Sequence, residues 1–127
     1  VTQRRENHRK WCEWISSLKL PLRLYPEQEG TLHSAFAFPI LLHEDSPYTR
    51  AEICAQLAKY NIDTRPISGS NLAKQPAFSS LPNARVEGST PVTDAVHERG
   101  FFVGQSHAFG DDHGNLLCDA LKRIFSQ

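Results

Sequence analysis

Gly104-Gln105-Ser106-His107-Ala108 stands between a segment patterned as a strand and one patterned as a helix. This nearly reproduces the G-x-S-x-G elbow that exposes the nucleophile of serine hydrolases. Ala108 replaces the final glycine, and the nearest downstream acids and base, Asp111, Asp112 and His113, lie too close in sequence to wrap around Ser106. A turn that needs small residues explains the same letters. His107, Asp111, Asp112 and His113 can also be drawn as a divalent-metal site, since imidazole and carboxylate are ordinary Zn²⁺ ligands. A helix opening at Asp111 uses both carboxylates in its first turn, where negative charge is favoured. His8, His33, His43 and His97 have no clustered partners in sequence and read as surface or half-buried residues.

Thr64-Arg65-Pro66 ends a strand-like segment with a cation, and Ser68, Gly69, Ser70 and Asn71 follow. Arg grips a carboxylate or phosphate in bidentate fashion, and small polar residues leave backbone N–H groups open to an anion. The competing reading pairs Arg65 with a carboxylate such as Asp63 or Glu87, and spacing alone leaves both open.

The elements that must position these residues alternate in period. Trp11, Trp14, Ile15 and Leu18 fall on one stripe of an opening helix that stops before Pro21. Ser34 to Leu42 places Phe36, Phe38, Ile40 and Leu42 on one face of a strand, and Pro39, with no N–H, demands an edge or a bulge. Thr49-Arg-Ala-Glu52 is a capping box opening a helix with Ile53, Leu57 and Tyr60 inward, ended by a left-handed Asn61. Ile62 to Ile67 reads as a second strand, Ser79 to Ser89 as a loop, and Thr90-Pro91 as the start of a short helix closed by Gly100. Phe101 to Val103 is a third strand, and the helix from Asp111 buries Leu117, Leu121 and Ile124. The sum is one α+β domain over residues 1–127, a small, mostly antiparallel sheet of about three strands packed with helices.

Composition narrows the function. The 127 residues carry 14 Lys plus Arg against 14 Asp plus Glu, which argues against a general nucleic-acid binder relying on phosphate neutralisation. The longest run of apolar residues plus Pro, Ala35 to Leu42, is far short of the roughly 20 residues of a membrane span. Cys12, Cys54 and Cys118 give neither a disulfide framework nor a Cys-x-x-Cys spacing, so a reducing, cytoplasmic setting is expected. The chain contains no Met, which leads us to expect a fragment or a processed product.

Four stretches, in order, carry a resemblance: His33-Ser-Ala-Phe-Ala-Phe-Pro-Ile40, Asn61-Ile-Asp-Thr-Arg-Pro-Ile67, Asn71-Leu-Ala-Lys-Gln-Pro-Ala-Phe78 and Gly100-Phe-Phe-Val-Gly-Gln-Ser-His107. Together they resemble the small carboxy-terminal domain of the DegT-type sugar aminotransferases, fold-type I enzymes that use pyridoxal phosphate (PLP) on nucleotide-linked sugars. The Asn-Leu-x-x-Gln-Pro pattern is most similar to the branch holding nucleotide-hexose 3-dehydratases and their aminotransferase relatives.

The resemblance implies a partner as well as a substrate. PLP and its Lys, or the His that replaces that Lys in 3-dehydratases, belong to a large amino-terminal domain absent from this sequence, through which such enzymes commonly form homodimers. This chain then supplies one side of a nucleotide-sugar cleft and is inactive alone. By motif position Arg65 faces the sugar or a phosphate, Asn71 donates from its loop, and Ser106 with His107 lines the cleft. Two rivals carry their own signals: a stand-alone binding module docking through Trp11 and Trp14, and a small hydrolase using Ser106.

Overall fold

The computed structural model describes residues 1–34, 36–67 and 71–127. Ala35 and Ser68 to Ser70, the small polar residues that follow the Arg65 segment, lie outside the described residues. The order is α1 (Thr2–Ser17), β1 (Leu22–Leu24), β2 (Ala37–Leu42), α2 (Arg50–Ala58), β3 (Thr64–Pro66), a 3₁₀ turn (Leu72–Lys74), α3 (Pro76–Ser79), α4 (Pro91–Arg99), β4 (Gly100–Gly104) and α5 (Asp111–Phe125). The sheet is antiparallel with strand order β1-β2-β4-β3, so the α+β layer holds with four strands rather than three. The additional strand, β1, is three residues long and directly follows Pro21, too short to show an alternating pattern.

Alternation assigns the two faces of the sheet. Phe38, Ile40, Leu42, Phe101 and Val103 point inward and are buried against Trp11, Ile15, Ile53, Leu57, Leu117, Leu121 and Ile124 of α1, α2 and α5. Each side chain of this size contributes about 1.5–3 kcal/mol when fully buried. Trp11 is 3% exposed and Trp14 packs on the same cluster, so the stripe read as a possible docking surface is part of the core. On the opposite face α4 closes over one end: a Cβ at Gly100 would lie 2.6 Å from the Val96 carbonyl oxygen and 2.9 Å from Ile67 Cδ1, so only glycine lets the helix sit there.

Several local expectations hold. Thr49 and Glu52 form the reciprocal capping box, and Asn61 takes the left-handed conformation at φ 58°. Others do not. Thr90 makes no side-chain cap; its Oγ1 donates to Asp94 Oδ2 at 3.3 Å instead. Phe36 lies outside β2 and is 71% exposed, its ring turned edge-on to Phe102 with centroids 6.2 Å apart. The expected strand over Ile62 to Ile67 shrinks to Thr64–Pro66.

Pro39 sits inside the sheet without breaking it. The Gln105 N–H donates to the Phe36 carbonyl at 2.8 Å, which makes the even-numbered residues of β2 the ones that bond to β4. Pro39, opposite Phe102, therefore directs its backbone polar groups toward β1, and β1 ends at Leu24 opposite Ile40. The strand is interior in order but an edge at that one residue.

Candidate functional site

The sheet face away from the core is covered by α4 at one end only. At the other end lie the half-buried Ala37 and Phe102 and the exposed Gly104, with Arg65 exposed on β3 directly opposite Phe102. Neither competing carboxylate holds Arg65: Glu87 pairs with Arg85 at 2.5 Å, and no ion pair joins Arg65 to any described residue. A guanidinium with no hydrogen-bond or ion-pair partner among the described residues lies across from Phe102 of the Phe36–Phe102 edge-on pair, a combination able to receive a carboxylate or phosphate attached to a bulkier body.

Asn71 is placed differently. It is 3% exposed, and its amide is fully used within the chain. Oδ1 accepts from the Ala73 N–H at 3.0 Å, which starts the 3₁₀ turn, while Nδ2 donates to Asp94 Oδ1 at 2.8 Å and to Thr90 Oγ1 at 3.5 Å. The Asn71 N–H donates to His97 Nδ1 at 3.4 Å. Lys74, bonded to Asp94 at 2.9 Å and Glu98 at 3.3 Å, has its pKa raised by those two carboxylates. Asp94 in turn is held below the usual carboxylate range by Lys74 first and Asn71 second. Asn71 is thus a pin between the segment after β3 and α4.

Ser106 and His107 lie just past β4. The Ser106 carbonyl accepts from Asn7 Nδ2 at 3.2 Å and from the Phe109 N–H at 3.2 Å, and its Oγ accepts from the Ala108 N–H at 3.2 Å. This is the tight turn of the structural reading, and no imidazole bonds to Oγ. His107 is exposed. Among the described residues no hydrogen bond or ion pair joins any two of Arg65, Asn71, Ser106 and His107. His113 Nδ1 lies 2.9 Å from Asp112 Oδ1, and among the described residues no group of three or more His, Cys, Asp or Glu is placed to hold a metal ion.

Two cavities flank α1. One, of about 330 Å³, is walled by Trp11, Phe109 and His113, whose rings run nearly parallel, with Asp63 and Gly104 on its other side. The second, of about 480 Å³, lies between α1 and residues 26–33 and is lined by Arg5, His8, Cys12, Glu27 and His33 among others. His8 and His33, which looked isolated in sequence, stand here with ring centroids 4.4 Å apart, and His8 is 2% exposed. Sequence patterning missed this contact because it crosses from a helix to a loop.

It also missed Asn7, 1% exposed, whose Nδ2 bonds the Ser106 and Phe109 carbonyls (3.2 and 2.9 Å) and ties the turn after β4 to α1. The available signal was its position four residues before Trp11, which extends the buried stripe backward with a polar residue.

Comparison with known proteins gives a consistent outcome. The model of the DegT/DnrJ/EryC1/StrS aminotransferase family matches residues 1–122. A dTDP-4-dehydro-2,6-dideoxy-D-glucose 3-dehydratase of Saccharopolyspora spinosa is 36% identical over 127 residues, covering 98% of this chain and 26% of its own length. A GDP-4-keto-6-deoxy-D-mannose 3-dehydratase of Yersinia pseudotuberculosis is 29% identical over 100 residues, covering 79% of this chain and 24% of its own. The solved GDP-4-keto-6-deoxy-D-mannose-3-dehydratase of E coli with bound hydrated PLP shares the fold, with a TM-score of 0.76 and 23% identity over 94% of this chain and 31% of that one. The chain therefore spans about a quarter of the length of these curated relatives. With the family model matched almost end to end, this chain belongs to the DegT/DnrJ/EryC1/StrS aminotransferase family.

Proposed function

We propose that this chain is the carboxy-terminal, substrate-cleft domain of a PLP-dependent enzyme that aminates or dehydrates a nucleotide-linked keto-deoxyhexose, and that it is inactive alone. The relatives named above act, by their names, on GDP- and dTDP-linked deoxy-ketosugars, and this chain matches only about a quarter of their length. The observation that carries the reading is Arg65, exposed and without an ion pair among the described residues, on the sheet face that α4 leaves open.

The described residues offer no lysine at either cavity for a Schiff base with PLP. None of the five lysines lines either cavity; Lys10 is held by Asp111 at 2.9 Å and Lys74 by Asp94 and Glu98. We assign the cofactor to the remainder of the enzyme, and to this domain the binding and orientation of the substrate. Arg65 receives an anionic group, and Phe36 with Phe102 forms the wall beside it. Ser106 and His107 border the cleft from the turn that Asn7 holds, and Asn71 shapes the loop without donating to the substrate.

In the intact enzyme, Arg65→Ala should raise KM for the nucleotide sugar by about tenfold or more, the usual scale for losing a charge-assisted hydrogen bond. Arg65→Lys should recover part of that loss. Unchanged KM and turnover would remove Arg65 from the site. Stoichiometric PLP binding by the 127-residue chain alone would overturn the division of labour.

A further inference from the structure

The buried side-chain nitrogens and oxygens without partners, among the described residues, belong to Arg4, His8, His33 and Gln105. All four adjoin one stretch. Arg4 donates to Ser34 Oγ at 3.0 Å, His8 lies against His33, and the Gln105 N–H bonds the Phe36 carbonyl. Orphaned buried polar atoms are costly, so a concentration of them points to a built feature.

The tautomer of His8 is fixed by its surroundings. Nε2 lies 2.8 Å from the Tyr25 carbonyl oxygen, which can only accept, so in the neutral ring Nε2 carries the proton and Nδ1 is a bare lone pair. That Nδ1 is buried and has no donor. His33 Nδ1 is likewise buried and unpartnered, its ring 4.4 Å away at 54°. A reorientation of the two rings that brought a His33 Nδ1–H to His8 Nδ1 would give each atom the partner it lacks. We propose that His8 and His33 form a proton-sharing clasp, with His33 Nδ1–H donating to His8 Nδ1, that holds the segment from Tyr25 to Ser34 on α1 and opens when a second excess proton enters the pair.

The proton count explains the behaviour. The first excess proton enters at His33 Nε2 and leaves Nδ1–H still donating, so the clasp stays closed. The second must enter at His8 Nδ1, which sets two donors against each other and forces the rings apart. Among the described residues the charged groups around the pair are Arg4, Arg5, Glu6, Arg9 and Glu13 on α1 and Glu27 on the loop; Cys12 also faces it, and Phe38 of β2 packs on His8. The Glu27 carboxylate accepts from Arg5 and from the His33 backbone N–H at 2.7 Å, so the loop is anchored beside the clasp. Burial first, and then His8, lower the pKa of His33 from 6.5, against a smaller opposing effect of Glu27.

The test is a pH series of long-range ¹H–¹⁵N imidazole spectra on the 127-residue chain, with amide exchange read in parallel. The expected result at neutral pH is His8 as the Nε2–H and His33 as the Nδ1–H tautomer. On acidification the pair should titrate in two separated steps. Amide protection over residues 25–34 should survive the first step and fall in the second. His33→Asn supplies an amide that can donate to neutral His8 or turn to accept from protonated His8, so it should keep neutral-pH protection and remove the part of the acid loss that accompanies the second histidine step. His33→Leu should lower protection at every pH. His33 found as the Nε2–H tautomer at neutral pH, or two independent single-site titrations with flat loop protection, would overturn the proposal, and both are readable on the unsubstituted chain.

Discussion

His8 Nε2 lies 2.8 Å from the Tyr25 carbonyl oxygen, and Pro39 is the reason that oxygen is free. His43 N–H bonds the Pro21 carbonyl and Leu41 stands opposite Arg23, so the next ladder donor, to Tyr25, would be the N–H that proline lacks. A helix side chain has taken over a strand's hydrogen bond. His8→Leu should therefore destabilise the chain by about 1–3 kcal/mol, the cost of a buried carbonyl left unpaired. With Pro39→Val already in place, the valine N–H can close on Tyr25, and the same substitution of His8 should cost clearly less in urea denaturation. Equal losses in the two backgrounds would show that the proline and the histidine are unrelated.

Asn71 offers a second double-substitution test. Asn71→Ala removes the start of the 3₁₀ turn and the bond to Asp94, and for a residue 3% exposed that should cost about 1–2 kcal/mol. Asn71→Asp keeps an acceptor for Ala73 N–H but sets two carboxylates face to face, and adding Asp94→Asn should recover part of the loss by reversing donor and acceptor. Chemical denaturation of the four chains measures this; a double variant no better than Asn71→Asp would mean the pair is not coupled.

These two clusters mark the division between what the sequence shows and what it conceals. Periodicity located α1, α2, α5, β2 and β4, because burial on one face writes itself into spacing: Trp11 and Ile15, Ile53 and Leu57, Leu117, Leu121 and Ile124 are all in the core. β1 escaped because three residues carry no period. Alternation puts Phe36 on one face with Phe38, Ile40 and Leu42, but the strand begins only at Ala37 and the Phe36 ring meets Phe102. Polar pairs such as Asn71–Asp94 and His8–His33 join residues far apart along the chain, and no local pattern announces them. Arg65 is legible as a cation, but its lack of an ion pair among the described residues is not, since that depends on where Glu87 and Asp63 fall.

Gly114 gives a prediction opposite in sign to helix propensity. It lies inside α5 and is buried, where exchanging glycine for alanine ordinarily gains about 1 kcal/mol. A Cβ there would lie 2.6 Å from Trp11 Cδ1 and 2.7 Å from Trp14 Cζ3, so both indoles must move. Gly114→Ala should then destabilise by about 1–3 kcal/mol, with a change in tryptophan fluorescence. A stabilised variant would mean that α1 and α5 can separate without cost.

Cys12 and Cys118 are both pushed up to about 11, chiefly by burial. The thiolate is the reactive form, so neither should alkylate appreciably at neutral pH in the folded chain, and urea should release both. Mass mapping of iodoacetamide adducts with and without urea measures this. Rapid labelling of either residue in the folded chain would contradict the packing of α1 against α5.

Acid should weaken the attachment of the Tyr25 to Ser34 segment through Glu27 as well. The Arg5 guanidinium above all, and then the His33 backbone N–H, hold the Glu27 carboxyl at about 2 against an ordinary 4.5. For a carboxylate depressed in the folded state, the stabilisation is complete above the unfolded value and disappears as pH falls through the folded one. The loss therefore runs from about pH 4.5 down to about 2. In a His33→Asn background, which removes the histidine pair from the titration, Glu27→Gln should flatten the pH dependence of urea stability in that window and leave it unchanged above. The pair is partly open to solvent, so added salt should shrink the difference. Identical pH slopes with and without the carboxylate would show that Arg5 and Glu27 meet without contributing to the hold on the loop.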